Sequence, residues 1–185
     1  MKHVGKSYKK VDAKGILSGK PAYTGDFIPK DALVIKVLRS PHAMARITDI
    51  DVSKALLVPG VEAVFTYKDV PKNRFTLAGQ SYPEPSAYDA LILEDIVRYI
   101  GDEVALVVAK DEKTALKAMP LIKVAYEVMK PVLDIKTAID HETIVHPEDD
   151  LHYNFPVGGE PKRNIAISYH KTVGDVEGEL AKCDH

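Results

Sequence analysis

Three of the chain's seven histidines fall between His141 and His152, among Glu142, Glu148, Asp149 and Asp150. Imidazoles and carboxylates in that density suggest metal chemistry first. A zinc-protease arrangement needs two histidines four residues apart, so that both project from one helix face. His141 and His146 are five apart, about 500° of helix rotation, which separates them by roughly 140°. The stretch therefore reads as a solvated linker, and no metal ligand is assigned. Gly15 to Lys20 invites comparison with a phosphate-binding loop. Only three residues separate Gly15 from Gly19, and Pro21 stands where a magnesium-binding Ser or Thr is required. A turn before a strand is the better reading. His42 follows Pro41, flanked by Arg39 and Arg46. A general base needs a partner and a pocket, and neither is visible. His42 is expected to be structural, with an imidazole nitrogen bonded to nearby backbone. The two arginines are expected to pair with Asp49, Asp51 or Asp26. Gly158-Gly159 lacks the strand-then-helix context of a dinucleotide loop. No catalytic, cofactor-binding or metal-binding residue is assigned anywhere in the chain.

The elements that carry these residues follow from periodicity. Leu33, Ile35 and Val37 alternate with Val34, Lys36 and Leu38, as in a strand buried on at least one face. Pro41 removes a backbone donor and pushes Ser40 out of the helical region, so the strand stops or turns there. Ala45 and Ile47 restart the alternation. Ser53 is expected to cap a short helix through Leu57, ended by Pro59-Gly60. Val61, Ala63 and Phe65 mark another strand. Residues 66–90 read as a long surface connection, of a length that is often functional. A strand with Val97 and Tyr99 on one face follows, then the turn Gly101-Asp102. Val104 to Ala109 is apolar throughout, which fits a strand covered on both faces. Asp111 caps a helix whose face carries Ala115, Leu116, Met119 and Ile122, and Pro120 kinks or ends it. Lys123 to Val128 alternates again. Asp134 caps a second short helix, Ile135 to Ile139. Ile165, Ile167 and Tyr169 suggest one last strand, and Asp175 a helix start. The fold class is α+β, with one partly curled sheet.

Composition narrows the function classes. The formal net charge of -2 gives no global pull toward nucleic acid or an anionic membrane. No apolar run approaches the ~18 residues of a membrane span, and no secretory core follows the basic N-terminus. A cytoplasmic location is expected. Cys183 is the sole cysteine, which excludes an internal disulfide and any cysteine-built zinc or iron–sulfur site within this chain.

Several motifs in order carry a resemblance. Gly19-Lys20-Pro21-Ala22-Tyr23-Thr24-Gly25-Asp26 comes first, then Arg39-Ser40-Pro41-His42-Ala43, Ala45-Arg46-Ile47 and Pro59-Gly60-Val61. Val97-Arg98-Tyr99-Ile100-Gly101 and Val104 to Ala109 complete the set. Together they resemble the α/β-hammerhead domain that opens the large, molybdenum-binding subunit of the xanthine dehydrogenase and aldehyde oxidase family, with xanthine dehydrogenase nearest. The chain departs from the pattern at Asp102, where many relatives carry glutamine, and at Met44, often a second histidine.

The resemblance implies an α/β-hammerhead with a curled mixed sheet and two or three short helices over residues 1–140. Residues 141–163 are polar, carry Pro147, Pro156, Gly158-Gly159 and Pro161, show no helical period and read as a linker; the resemblance makes 164–185 the start of a molybdopterin-binding domain. It implies an architectural part of an oxidoreductase that hydroxylates purines, related heterocycles or aldehydes. The family's catalytic glutamate, glycine-rich loop and molybdopterin contacts would fall beyond His185, so the chain is expected to bind no cofactor and to be inert alone. Molybdopterin would belong to the full subunit, and iron–sulfur clusters and FAD to partner subunits or domains. Its partners would be the remaining molybdenum-binding domains and the iron–sulfur and flavin subunits, with neither nucleic acid nor membrane among them. Residues 164–183 could also pair with a second copy of the chain. The alternatives are a stand-alone binding module using residues 66–90, or the same domain from an aldehyde oxidoreductase, nicotinate dehydrogenase, carbon monoxide dehydrogenase or hydroxybenzoyl-CoA reductase.

Overall fold

The computed structural model describes residues 4–20, 23–77, 87–153 and 158–183. In chain order its helices and strands are α1 (Ala13–Leu17), β1 (Val34–Arg39), β2 (Ala45–Asp51), α2 (Ser53–Leu56), β3 (Val61–Phe65), β4 (Ala87–Tyr88), β5 (Ile96–Val97), β6 (Glu103–Ala109), α3 (Glu112–Ala118), β7 (Lys123–Val128), β8 (His152–Tyr153) and α4 (Val176–Leu180). The α+β reading holds. The sheet is divided, however: β1-β6-β3 form one three-stranded sheet, β5-β2-β7 a second, and β4-β8 a short pair, all antiparallel.

Pro41 is where the chain leaves the first sheet for the second, as its missing donor requires. β6 is the central strand of the first sheet, and Val104, Ala105, Val107 and Ala109 are buried along it. Helices α2 and α3 cover one face of this sheet. Ala115 and Ala118, both fully buried, let α3 approach closely. Ala118 takes the inward position that Leu116 was expected to hold, and Leu116 lies 47 % exposed. Asp111 caps α3 by accepting from the Thr114 amide at 2.7 Å, and the helix tightens to a 3-10 turn at Pro120. The core then passes to Ala45, Ile47, Ile50 and Val97 of the second sheet.

Three local expectations need correction. Ser53 does not cap α2. The Asp51 carboxylate at the end of β2 accepts from the Ser53 amide at 2.9 Å, and bonds from Ser53 hold that carboxyl below its ordinary pKa. β5 ends at Val97, because the next amide, of Arg98, is taken by Asp102 Oδ2 at 2.7 Å. Tyr99 therefore turns outward, 52 % exposed, while Val97 is buried. No strand forms over 165–169. Ile165 makes one bridge to Glu160, and Ile167 and Tyr169 lie 52 % and 80 % exposed. A lone extended segment has no neighbour for its backbone groups, so alternation there does not suffice.

Asp134 does cap a turn, accepting from the Lys136 amide, but the turn is a short 3-10 segment, Ile135–Thr137. The N-terminal arm holds α1, which buries no residue. Gly15 lies inside that helix rather than in a phosphate loop, and Pro21 is outside the described residues. Gly60 after α2 sits at φ +90, where a Cβ would meet the Lys110 stem at 2.7 Å. That accounts for glycine in the turn.

Candidate functional site

Two polar junctions gather the residues singled out in the sequence. The first joins the β1–β2 turn to the turn before β6. Ser40 donates its amide to the Asp102 carbonyl at 2.8 Å, and Gly101 donates to the Ser40 carbonyl at 2.8 Å. Arg39 Nη1 reaches both the Gly101 carbonyl at 2.7 Å and Glu103 at 2.8 Å. Gly101 adopts φ +97, which favours glycine over any residue with a Cβ. The two motifs, separate in sequence, are hydrogen-bond partners in the fold.

Within the first turn the work falls to Ser40. Its buried hydroxyl accepts from the His42 amide at 3.0 Å and donates to the His42 carbonyl at 3.1 Å. The expected imidazole–backbone bond is not what holds His42. Its ring stands edge-on to Tyr126, with centroids 4.8 Å apart. Arg39 and Arg46 pair with carboxylates, but not with those expected. Arg39 takes Glu103 and Arg46 takes Asp95 at 2.9 Å. Asp49 and Asp51 follow a bulge in β2 and serve other neighbours, Lys68 and Ser53.

The second junction pins the 145–150 segment to the domain. Arg98 is only 10 % exposed on its side chain, and every nitrogen of its guanidinium is engaged. Nε donates to the Val145 carbonyl at 3.0 Å, Nη1 to Glu94 at 2.7 Å, and Nη2 to Glu148. Arg74, 6 % exposed, bonds Asp150 at 2.8 Å and the Asp89 carbonyl at 3.1 Å. Asn164, in the left-handed region at φ 59, donates to the Ala138 and Thr143 carbonyls, both at 2.9 Å, and accepts from the Val145 amide at 2.8 Å. Arg163 grips Asp140 through two bonds. The solvated-linker expectation thus fails at Val145 to Glu148, where buried opposite charges require close partners.

His146 Nδ1 and Glu148 Oε2 face each other at 3.6 Å, and neither has a hydrogen-bond partner. That distance is too long for a formed hydrogen bond. Burial raises the Glu148 carboxyl, but His146 and the Arg98 guanidinium outweigh it and bring it to about 2. Asp102 moves the other way. Burial raises it, although the Arg98 and Glu103 amides oppose the shift. Of the other candidate ligands, His141 Nδ1 accepts from the Thr143 amide at 3.0 Å, and Glu142 pairs with Lys130. Among the described residues, no three His, Cys, Asp or Glu side chains converge as a metal site.

A cleft of about 390 Å³ lies beside Arg98, lined by Phe75, Leu91, Leu93, Tyr99, Val145 and His146 among others. Among the described residues that line it, the one arginine, Arg98, is already bound to Glu94 and Glu148. Arg39, Arg46, Arg74, Arg98 and Arg163 are all bound to carboxylates. These residues do not fit a molybdopterin cradle, and no chemical step is assigned to them. Gly159 does not serve a ligand either; a Cβ there would meet the Tyr153 ring at 2.6 Å or less. Sequence reasoning missed the pairing of Arg98 with Glu94 and Glu148. The Glu94–Arg98 spacing of four was visible, but nothing local marked Glu148 as their partner.

Two small antiparallel sheets, two covering helices and interlocked Arg-Ser-Pro-His and Arg-Tyr-Ile-Gly turns define a hammerhead-type domain. Residues 18–130 match the family described as aldehyde oxidase and xanthine dehydrogenase, a/b hammerhead domain, and the chain belongs to it. It is 42% identical over 205 residues to the probable hypoxanthine oxidase XdhD of Escherichia coli strain K12, covering 98% of this chain and 21% of that protein. It is 28% identical to the nicotinate dehydrogenase large molybdopterin subunit of Eubacterium barkeri, over 98% of this chain and 38% of that one. Among solved structures, quinoline 2-oxidoreductase from Pseudomonas putida 86 superposes with a TM-score of 0.64 at 32% identity, covering 76% of this chain and 18% of that one. The aldehyde oxidoreductase from Desulfovibrio gigas gives 0.64 at 32% identity, over 77% and 16%. The chain thus spans about a fifth of the length of XdhD. Among the described residues, no helix is long and apolar enough to cross a membrane.

Proposed function

We propose that this chain is the hammerhead portion of a molybdopterin-dependent hydroxylase of the xanthine dehydrogenase type, acting on a purine such as hypoxanthine. The observation that carries this reading is the 42% identity to a probable hypoxanthine oxidase over 98% of the chain. The role is architectural. The arginines are consumed by internal carboxylates, and the cleft beside Arg98 is lined by groups already committed to one another. Molybdopterin is held elsewhere in the full subunit, and iron–sulfur clusters and FAD in partner subunits or domains. The hammerhead occupies residues 1–140, residues 141–163 lead out of it, and 164–185 open the next domain. The enzyme works in the cytoplasm. Partners of the domain are the remaining molybdenum-binding domains and the iron–sulfur and flavin subunits.

The test compares two proteins by elemental analysis and turnover of hypoxanthine, xanthine and an aldehyde. Full-length protein from the native gene should contain molybdenum and oxidise a purine. The purified 185-residue chain should contain none and turn over nothing. Stoichiometric molybdenum in the short chain, or aldehyde turnover without purine turnover in the long one, overturns the reading.

A further inference from the structure

Between the two Arg98 bonds that fasten the 145–150 segment lies one unmatched pair. Arg98 holds the Val145 carbonyl with Nε and one oxygen of Glu148, Oε1, with Nη2. The other oxygen, Oε2, faces His146 Nδ1 at 3.6 Å. Both atoms are removed from water, with no hydrogen-bond partner among the described residues. An arrangement with no hydrogen between them leaves two buried polar atoms unsatisfied, which folded proteins rarely tolerate. A move of less than about 1 Å brings the pair to the length of a charge-assisted bond, about 2.8 Å. The His146 side chain keeps 28% of its surface exposed, so its ring can exchange protons with solvent.

The surroundings decide whether the ring that makes this bond is charged. In the cleft, His146 meets Asp89 after β4, Glu94 and Arg98 on either side of β5, Tyr99 and Asp102 in the next turn, and Glu103 at the start of β6. A second cavity that His146 also lines adds Tyr153 of β8. Among the described residues lining the two cavities, Arg98 is the sole permanent cation, and it already serves Glu94 and Glu148. Carboxyl groups outnumber cations there even with Arg39 on Glu103 and Arg74 3.8 Å from Glu94. That balance accommodates one more positive charge, which a protonated imidazole supplies.

We propose that His146 is a pH-sensitive clasp: its protonated ring donates an Nδ1–H hydrogen bond to Glu148 Oε2 and ties the 145–150 segment to the domain more tightly at acid than at alkaline pH. The added bond is present while the ring is charged and is lost as pH rises through the titration of the ring. Glu148 stays ionised across that range, because its carboxyl is held at about 2. The acceptor is therefore constant and His146 is the partner that changes.

The experiment uses full-length protein from the native gene between pH 5 and pH 8.5. Amide exchange of peptides spanning 145–150 is read by mass spectrometry and corrected for the intrinsic pH dependence of exchange. In the same samples, slow exchange of the ring Cε1 hydrogen reports the titration of His146 itself. Protection over 145–150 should be roughly tenfold higher at the acid end, and the change should follow the His146 titration. His146→Gln keeps a polar side chain at the site but cannot gain charge, so it should remove the pH dependence. A wild-type profile that is flat, as a neutral ring already bonded through Nδ1 would give, overturns the proposal. So does protection that falls on acidification. An unchanged profile in His146→Gln also overturns it, because the response would then belong to Asp89, Asp102 or another neighbour. If His146→Gln does not fold, the two wild-type midpoints decide: coincidence supports the clasp, and separate midpoints overturn it.

Discussion

The Arg98 guanidinium is held by Glu148, which lies 50 residues further along the chain, with both side chains largely removed from water. Replacing Arg98 by Ala strips the buried Glu148 of its arginine and leaves Glu94 only Arg74 at 3.8 Å and the Leu91 amide. A loss of about 3–5 kcal/mol is expected. Arg98→Lys retains charge but not the fork that reaches four acceptors, so it should recover only part. Urea unfolding monitored by circular dichroism measures both. Hydrogen exchange over 145–150 should quicken in each variant.

Acid should release the same junction. The Glu148 carboxyl is depressed in the fold from 4.5 to about 2. Its contribution to stability is therefore complete above the unfolded value and lost as pH falls through that interval. Unfolding free energy measured from pH 6 to pH 2 should decline, and Glu148→Gln should flatten the decline. An unchanged slope in that variant would show that other carboxylates govern the acid limb.

Ser40 and His42 should separate in their effects. Ser40→Ala removes the buried acceptor of the His42 amide, for a loss of about 1–2 kcal/mol. His42→Ala removes an edge-on ring contact with Tyr126, worth on the order of 1 kcal/mol. In a full-length enzyme, His42→Ala should leave turnover per molybdenum-loaded molecule unchanged. Thermal melts and steady-state rates check the pair.

Gly101→Ala places a Cβ on a residue at φ +97. The surroundings are open, so the cost is backbone strain alone, roughly 1–2 kcal/mol. A lower melting temperature with an unaltered spectrum of the folded state is the expected result.

The two faces of the first sheet can be compared directly in the 185-residue chain. Val107→Ala, on the fully buried side of β6, should cost about 2–3 kcal/mol. Ile35→Ala, on the open side, should cost under about 1 kcal/mol by the same reasoning. Denaturant midpoints of the two variants decide it.

The elements were legible wherever a run of alternating or helical residues met its own stop signal. β1 ends at Pro41, α3 begins at Asp111 and tightens at Pro120, and β6 is apolar from Val104 to Ala109. Those signals are local, because chirality, missing donors and side-chain caps act within a few residues. What surrounds each element was decided by the tertiary structure. Alternation could not say that Ile35 would face outward, since the parity of a strand is set by which face meets the helices. Nor could it say that Ile165 to Tyr169 would form no strand, because a strand exists only where a neighbour accepts its backbone bonds. The fate of the acidic residues from Glu142 to Asp150 shows this most clearly. By composition they read as solvated. Folding brought Arg98 against Glu148 from 50 residues away and buried the pair, and brought Arg74 from 76 residues away against an Asp150 that stays exposed; a charge pair buried at such separation leaves no trace in either segment alone, since burial is a property of the packed chain.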